Sequence, residues 1–161
     1  KHNINTIVRL TGDCPLIDPQ IIDLSIKKFL SGKYDFVANT SPPYNKSFPD
    51  GVDVEVFSFK VIESVNFKCK NKNDLEHVTP YIWRKKKRFN LYRFELKNNL
   101  SKYRFTLDYE EDFILIKEIL INLYKNRKKI TMNNVINYIK KNKNIYLLNY
   151  KRNSFLKWKK K

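Results

Sequence analysis

Two aspartates stand directly beyond short apolar runs, the place where an α/β protein commonly does its chemistry. Asp13 follows Thr6-Ile-Val-Arg-Leu10 after a Thr-Gly step, and Asp108 follows Arg104-Phe-Thr-Leu107 without a gap. In an open α/β sheet, ligands bind beyond the carboxyl ends of the strands. If the two runs are neighbouring strands, their carboxylates converge at one edge and offer hard oxygen ligands for Mg²⁺, whose shell substrate phosphates and water complete. Such a pair suits phosphoryl or nucleotidyl transfer, which depends on charge neutralisation and in-line positioning. Each aspartate alone also fits a turn or a helix cap. Asp108 does so especially, because Glu110-Glu111-Asp112 after it is an ordinary helix start.

The elements that must position these residues alternate between strand and helix. Thr6–Leu10 reads as a buried strand ending at Thr11-Gly12. Asp18 is an N-cap with Pro19 at the first helical position, and Ile21, Ile22, Leu24, Ile26, Phe29 and Leu30 supply the apolar face up to Gly32. Tyr34–Ala38 then completes a β-α-β unit with a parallel strand pair. Asn39 to Gly51, with Pro42, Pro43 and Pro49, is a long loop of the kind that usually has a function.

Further along, Val52–Phe59 alternates acidic and apolar side chains, as a strand with one polar face does. Helices are expected over 60–69 and 74–85, the second interrupted or kinked at Pro80. Asn90–Leu96 and Arg104–Leu107 read as strands, and a helix from Glu110 presents Phe113, Ile114, Ile116, Ile119, Leu120, Leu123 and Tyr124. Thr131 caps a final helix through Ile139. With no internal repeat and no interdomain linker, residues 1–150 form one α/β domain, and 151–161 a basic tail.

Four segments stand out: Val8-Arg9-Leu10-Thr11-Gly12-Asp13-Cys14-Pro15-Leu16-Ile17-Asp18-Pro19, Phe48-Pro49-Asp50-Gly51-Val52-Asp53-Val54-Glu55-Val56-Phe57, Glu76-His77-Val78-Thr79-Pro80-Tyr81-Ile82 and Arg104-Phe105-Thr106-Leu107-Asp108-Tyr109-Glu110-Glu111-Asp112. In this order and at these intervals they resemble sugar-acid cytidylyltransferases, most closely the spore-coat polysaccharide biosynthesis branch. The resemblance implies a three-layer nucleotide-diphospho-sugar transferase fold, a Rossmann-like mixed sheet flanked by helices. It also implies a cytoplasmic enzyme that makes a CMP-sugar and pyrophosphate from CTP and an acidic sugar, for surface polysaccharide biosynthesis.

Carried over residue by residue, Asp13 and Asp108 are the catalytic Mg²⁺ ligands. Arg9, Asp50, Gly51, Asp53, Glu55, Glu76, His77 and Thr79 face the substrate. Asp50 and Asp53 would accept hydrogen bonds from sugar hydroxyls, with Gly51 permitting close approach, although Asp-Gly is also an ordinary turn. His77 would act as a base or as a donor to the sugar, although a lone His at a helix start also fits a structural role. Related enzymes are often dimers, so a homodimer is expected.

The family's Gly/Ser-rich, triphosphate-cradling loop has no counterpart here. The three glycines are Gly12, Gly32 and Gly51, and the only Met is Met132, so a fold truncated at its N-terminus and inactive by itself is expected. Cys14 and Cys69 lack metal-type spacing and read as reduced thiols. No apolar run reaches membrane-span length and no secretory signal opens the chain.

Two alternatives have specific supports. Asp53-Val54-Glu55 could be a diphosphate-metal motif of a GT-A-like glycosyltransferase. The basic second half could make the chain a non-catalytic nucleic-acid-binding remnant, because the net charge is +17 and residues 119–161 hold no Asp or Glu. Abundant Lys, Asn and Ile throughout, with no recognition motif, argue against nucleic acid as a partner.

Overall fold

The computed structural model describes residues 4–40, 47–69, 71–85 and 87–153. Strands β1 (Thr6–Arg9), β2 (Phe36–Ala38), β3 (Glu55–Ser58) and β4 (Leu91–Arg93) form one open sheet in the order β1-β3-β2-β4. β3 runs antiparallel between β1 and β2, and the parallel neighbours are β2 and β4. The β-α-β reading of Thr6–Ala38 is corrected accordingly: β1 and β2 point the same way, but β3 lies between them. Val56 supplies the reason, since it is fully buried and pairs with Val8 on one side and Val37 on the other.

Three layers follow from strand alternation. Helix α1 (Pro19–Phe29) begins as its sequence predicts, with Asp18 accepting from the Gln20 N–H at 2.9 Å and Pro19 in the first turn. Its Ile21, Ile22, Ile26 and Phe29 cover the sheet face carrying Val37, Val54 and Val56. On the opposite face, Phe36, Ala38 and Phe57 pack against Val61 and Val65 of α2 (Phe59–Lys68) and Tyr81 and Ile82 of α4 (Pro80–Arg84). The Val52–Phe59 segment therefore has no solvated polar face, and Glu55 is 6% exposed.

A third apolar cluster joins α5 (Glu110–Lys125) and α6 (Met132–Lys141) to Leu16, Phe48, Val52 and Phe105. α6 starts where Thr131 predicts it, its hydroxyl accepting from the Asn134 N–H. Asp18 binds α6 through its second oxygen, which accepts from the Met132 N–H at 2.8 Å. One carboxylate thus caps α1 and ties it to a helix over a hundred residues away.

Two further expectations are corrected. The helix expected over 74–85 is two short ones, α3 (Lys72–His77) and α4, separated at Val78. Arg104–Leu107 is extended, but it forms only a single parallel bridge between Asp50 and Arg104. Beyond α6 lie a short α7 (Lys143–Leu147) and a 3-10 turn at Tyr150–Arg152. Asn153 is fully buried and donates to the carbonyls of Ser101 and Lys102. The loop residues 41–46 and the tail residues 154–161 lie outside the described residues.

Candidate active site

The register of the sheet builds the site. Arg9 pairs with Glu55, Glu55 with Ala38, and Ala38 with Arg93, so these four form one row across the sheet. The row marks the carboxyl ends of β1 and β2 and the amino end of β3. Beyond it opens a cleft of about 710 Å³ whose lining includes Arg9, Asp13, Thr40, Asp53, His77 and Trp83. Asp50, Glu55, Thr79 and Thr106 also reach it. Residues from all four family-like segments therefore meet in one place.

Glu55 is the cleft's most constrained carboxylate. Arg9 Nη1 donates to Oε2 at 2.7 Å and the Thr79 hydroxyl donates to Oε1 at 2.8 Å. Burial pushes its pKa up, and the bonds from Thr79 and Arg9 partly offset that rise. With both oxygens engaged, Glu55 braces β1, β3 and the start of α4. The same engagement disfavours Asp53-Val54-Glu55 as a diphosphate-metal motif.

Asp53 accepts a hydrogen bond from the Thr40 hydroxyl. Its segment is held by Asn39, a buried residue that the sequence reading passed over. The Asn39 side chain donates to the Val52 carbonyl at 2.7 Å and accepts from the Val54 N–H at 2.8 Å, extending the pairing of β2 and β3 toward the cleft. Asn directly after a strand is a weak signal of this, because the same residue also starts turns.

Asp13 is half-buried on the cleft wall. Cys14 beside it lies 3.0 Å from the Thr11 hydroxyl, and burial, aided by the charges of Asp53 and Asp13, pushes its thiol up to about 12. Both cysteines are free and buried. His77 is exposed at the cleft, and Glu76, also exposed, is not among the lining residues.

Asp108 and Asp50 have a partner that the sequence did not suggest. Arg104 is buried, and its guanidinium binds Asp50 at 3.1 Å, Asp108, and Asp112 at 3.1 Å. Asp112 is fully buried and also accepts from Asn149 and from the backbone N–H groups of Asp108 and Tyr109. Burial works to raise the Asp112 pKa, but the hydrogen bonds from Arg104, Asn149 and Asp108 outweigh it and hold the carboxyl below its usual value. Gly51, at φ +86°, faces the backbone of Phe105 and Thr106, so its missing side chain serves chain packing.

Among the described residues, no group of three or more His, Cys, Asp or Glu side chains could hold a metal ion. The donor set still fits Mg²⁺, which needs only one or two carboxylates when phosphates complete its shell. Asp13 faces the cleft. The Leu107 N–H donates to the Asp13 carbonyl at 2.8 Å, which brings the Asp13 and Asp108 segments side by side. Asp108 itself is not among the lining residues and is paired to Arg104.

On this geometry the fold coincides with that of a solved cytidylyltransferase from Leptospira borgpetersenii. The TM-score is 0.80 and the identity 34%, over 89% of this chain and 59% of that one. The likeness is to the cytidylyltransferase family. It is 28% identical to the spore coat polysaccharide biosynthesis protein SpsF of Bacillus subtilis, over 71% of this chain and 47% of that protein. It is also 31% identical to an uncharacterized Methanocaldococcus jannaschii protein, MJ1063, over 90% of this chain and 57% of the relative. The chain thus spans about half the length of the curated relatives it matches. No family model matches it. No helix among the described residues is long and apolar enough to cross a membrane.

Proposed function

We propose that the whole protein is a sugar cytidylyltransferase that transfers CMP from CTP to a sugar hydroxyl, with release of pyrophosphate. One observation carries this reading. Side chains from the four family-like segments line a single cleft at the carboxyl ends of β1 and β2, on a backbone shared with a solved cytidylyltransferase.

In this reading the sugar oxygen attacks the α-phosphorus of CTP, the bond to the pyrophosphate oxygen breaks, and the sugar hydroxyl proton passes to His77. Asp53 and Thr40 hold sugar hydroxyls. Glu55 stays bound to Arg9 and Thr79 and fixes the floor on which the sugar rests. Asp13 and Asp108 would hold Mg²⁺, which when bound offsets charge on the phosphates. An acidic sugar destined for a surface polysaccharide is the substrate class that the family likeness favours.

The test is pyrophosphate release by the full-length protein, supplied with each nucleoside triphosphate and a panel of acidic and neutral sugars. CTP-dependent release is expected, and Asp13→Asn should lower it by about a hundredfold or more. Consumption of a nucleotide-sugar donor without pyrophosphate release would instead identify a glycosyltransferase.

A further inference from the structure

One guanidinium in this molecule faces three carboxylates, and the three are not equivalent. Asp112 is fully buried and accepts from Arg104 through both Nε and Nη2, at 3.1–3.4 Å. It is also bonded to Asn149 at 2.7 Å and to two backbone N–H groups at 3.1 Å. Asp50 accepts from Nη1. Asp108 meets only Nη2, and its side chain is 47% exposed. Arg104 is therefore anchored by Asp112 and Asp50, and Asp108 can leave without stranding a buried cation.

We propose that Arg104 is a positioning residue that holds Asp108 away from the cleft until a divalent cation is bound. The inference rests on the reading of Asp108 as a metal carboxylate. The geometry that supports it is independent of that reading: Asp108 sits on a segment bonded to Asp13 through Leu107, yet its carboxylate is turned to Arg104 and does not line the cleft. One guanidinium against three carboxylates leaves excess negative charge in this cluster. A divalent cation can offset that excess. On metal binding Asp108 exchanges Nη2 for the ion, while Nε and Nη1 keep Asp112 and Asp50 in place.

Arg104→Lys separates the anchoring bonds from the grip on Asp108, because an ammonium keeps the charge beside Asp112 but cannot fork to three carboxylates. Mn²⁺ binding to the full-length protein is measured by electron paramagnetic resonance of the free ion, alongside thermal melts. Asp108→Asn is expected to weaken Mn²⁺ binding by at least about tenfold. Arg104→Lys should tighten it by about two- to fivefold, the size that a half-exposed ion pair carries. If folded Arg104→Lys binds Mn²⁺ no more tightly than the unaltered protein, the positioning role is overturned.

If Asp13→Asn weakens binding and Asp108→Asn does not, the metal assignment of Asp108 fails, and the positioning role with it. If Arg104→Lys does not fold, nuclear magnetic resonance of the unaltered protein decides. Saturating Mg²⁺ should shift the Arg104 Nη2 signal, which exchanges Asp108 for Asp112 alone, and leave the Nε–H and Nη1 signals in place. An unchanged Nη2 signal would sink the proposal.

Discussion

Gly51 and Thr106 lie so close that a β-carbon on Gly51 would come within 2.1 Å of the Thr106 nitrogen. The contact is backbone against backbone, held by the Asp50 N–H donating to the Tyr103 carbonyl at 3.0 Å and the Phe105 N–H to the Asp50 carbonyl at 2.6 Å. It locks the cleft wall carrying Asp50 to the segment that leads to Asp108. Gly51 also has φ +86°, where an L side chain is strained. Gly51→Ala should therefore destabilise the protein by more than the roughly 1 kcal/mol of strain alone, because the wall cannot stay in register. Urea unfolding checks this; a change under about 0.5 kcal/mol would mean that the two segments separate easily.

Asp112 should dominate the acid limb of stability. Its carboxyl is held below the usual value in the folded protein, so its stabilisation is complete above the unfolded-state pKa of about 4. That stabilisation is lost as pH falls through the lower folded value. Asp112→Asn leaves Arg104 and Asn149 facing a neutral amide, and breaking a buried pair of this kind costs about 3–5 kcal/mol near neutral pH. The gap between the variant and the unaltered protein should narrow steadily below pH 4. Urea unfolding from pH 7 to pH 2.5 measures it, and a gap independent of pH would show that Asp112 acts through packing alone.

The cysteines offer a test of burial that needs no substrate. Burial raises both thiols, Cys14 to about 12, so the folded protein holds less thiolate at pH 8 than the unfolded chain does. Neither thiol should react with a disulfide reagent at a rate above that of unfolding, and both should react at once in denaturant. Rapid modification of Cys14 in the native protein would show that the cleft wall opens far more often than this packing allows.

What the sequence reveals and what it hides divide along the range of the interactions. Asp18 with Pro19, and Thr131, announce helix starts because capping is decided within three residues, and the structure has both. The common direction of β1 and β2 is likewise legible, from the strand-helix-strand order of residues 6–38. The insertion of β3 between β1 and β2 was not, because it depends on Val56 finding two partners about 20 and 50 residues earlier.

Arg104–Leu107 has the composition of a strand but spends its backbone on Asp50 and Asp13. Glu110, Glu111 and Asp112 look interchangeable in the first turn of a helix. Only tertiary structure buries the last of them against Arg104 and Asn149. The same long-range pairing turns Asp50 and Asp108 toward a buried cation, which no local pattern announces.

Val78 supplies the strongest test of how backbone strain serves the cleft. It has φ +68°, a conformation rare for a β-branched residue, and the Thr79 N–H donates to the His77 carbonyl at 2.8 Å across it. This is a positive-φ γ-turn, an uncommon and strained arrangement. The turn ends α3, directs His77 to the cleft, and carries the Thr79 hydroxyl to Glu55. Without it, the 74–85 stretch would continue as the helix its composition suggests, and Thr79 would turn away from Glu55.

Strain of this kind costs about 1–3 kcal/mol and persists where the surrounding structure holds it in place for function. Asn tolerates positive φ without the extra chain entropy of Gly, so Val78→Asn should raise stability by about 1 kcal/mol in urea unfolding. If the strain also sharpens the placement of His77 and Thr79, the pyrophosphate release proposed for the full-length protein should fall severalfold in the stabilised variant. Val78→Ala should keep the turn strained and leave turnover nearly unchanged. A Val78→Asn variant no more stable than the unaltered protein would show that the turn stores no strain, and the link between γ-turn and cleft would fail.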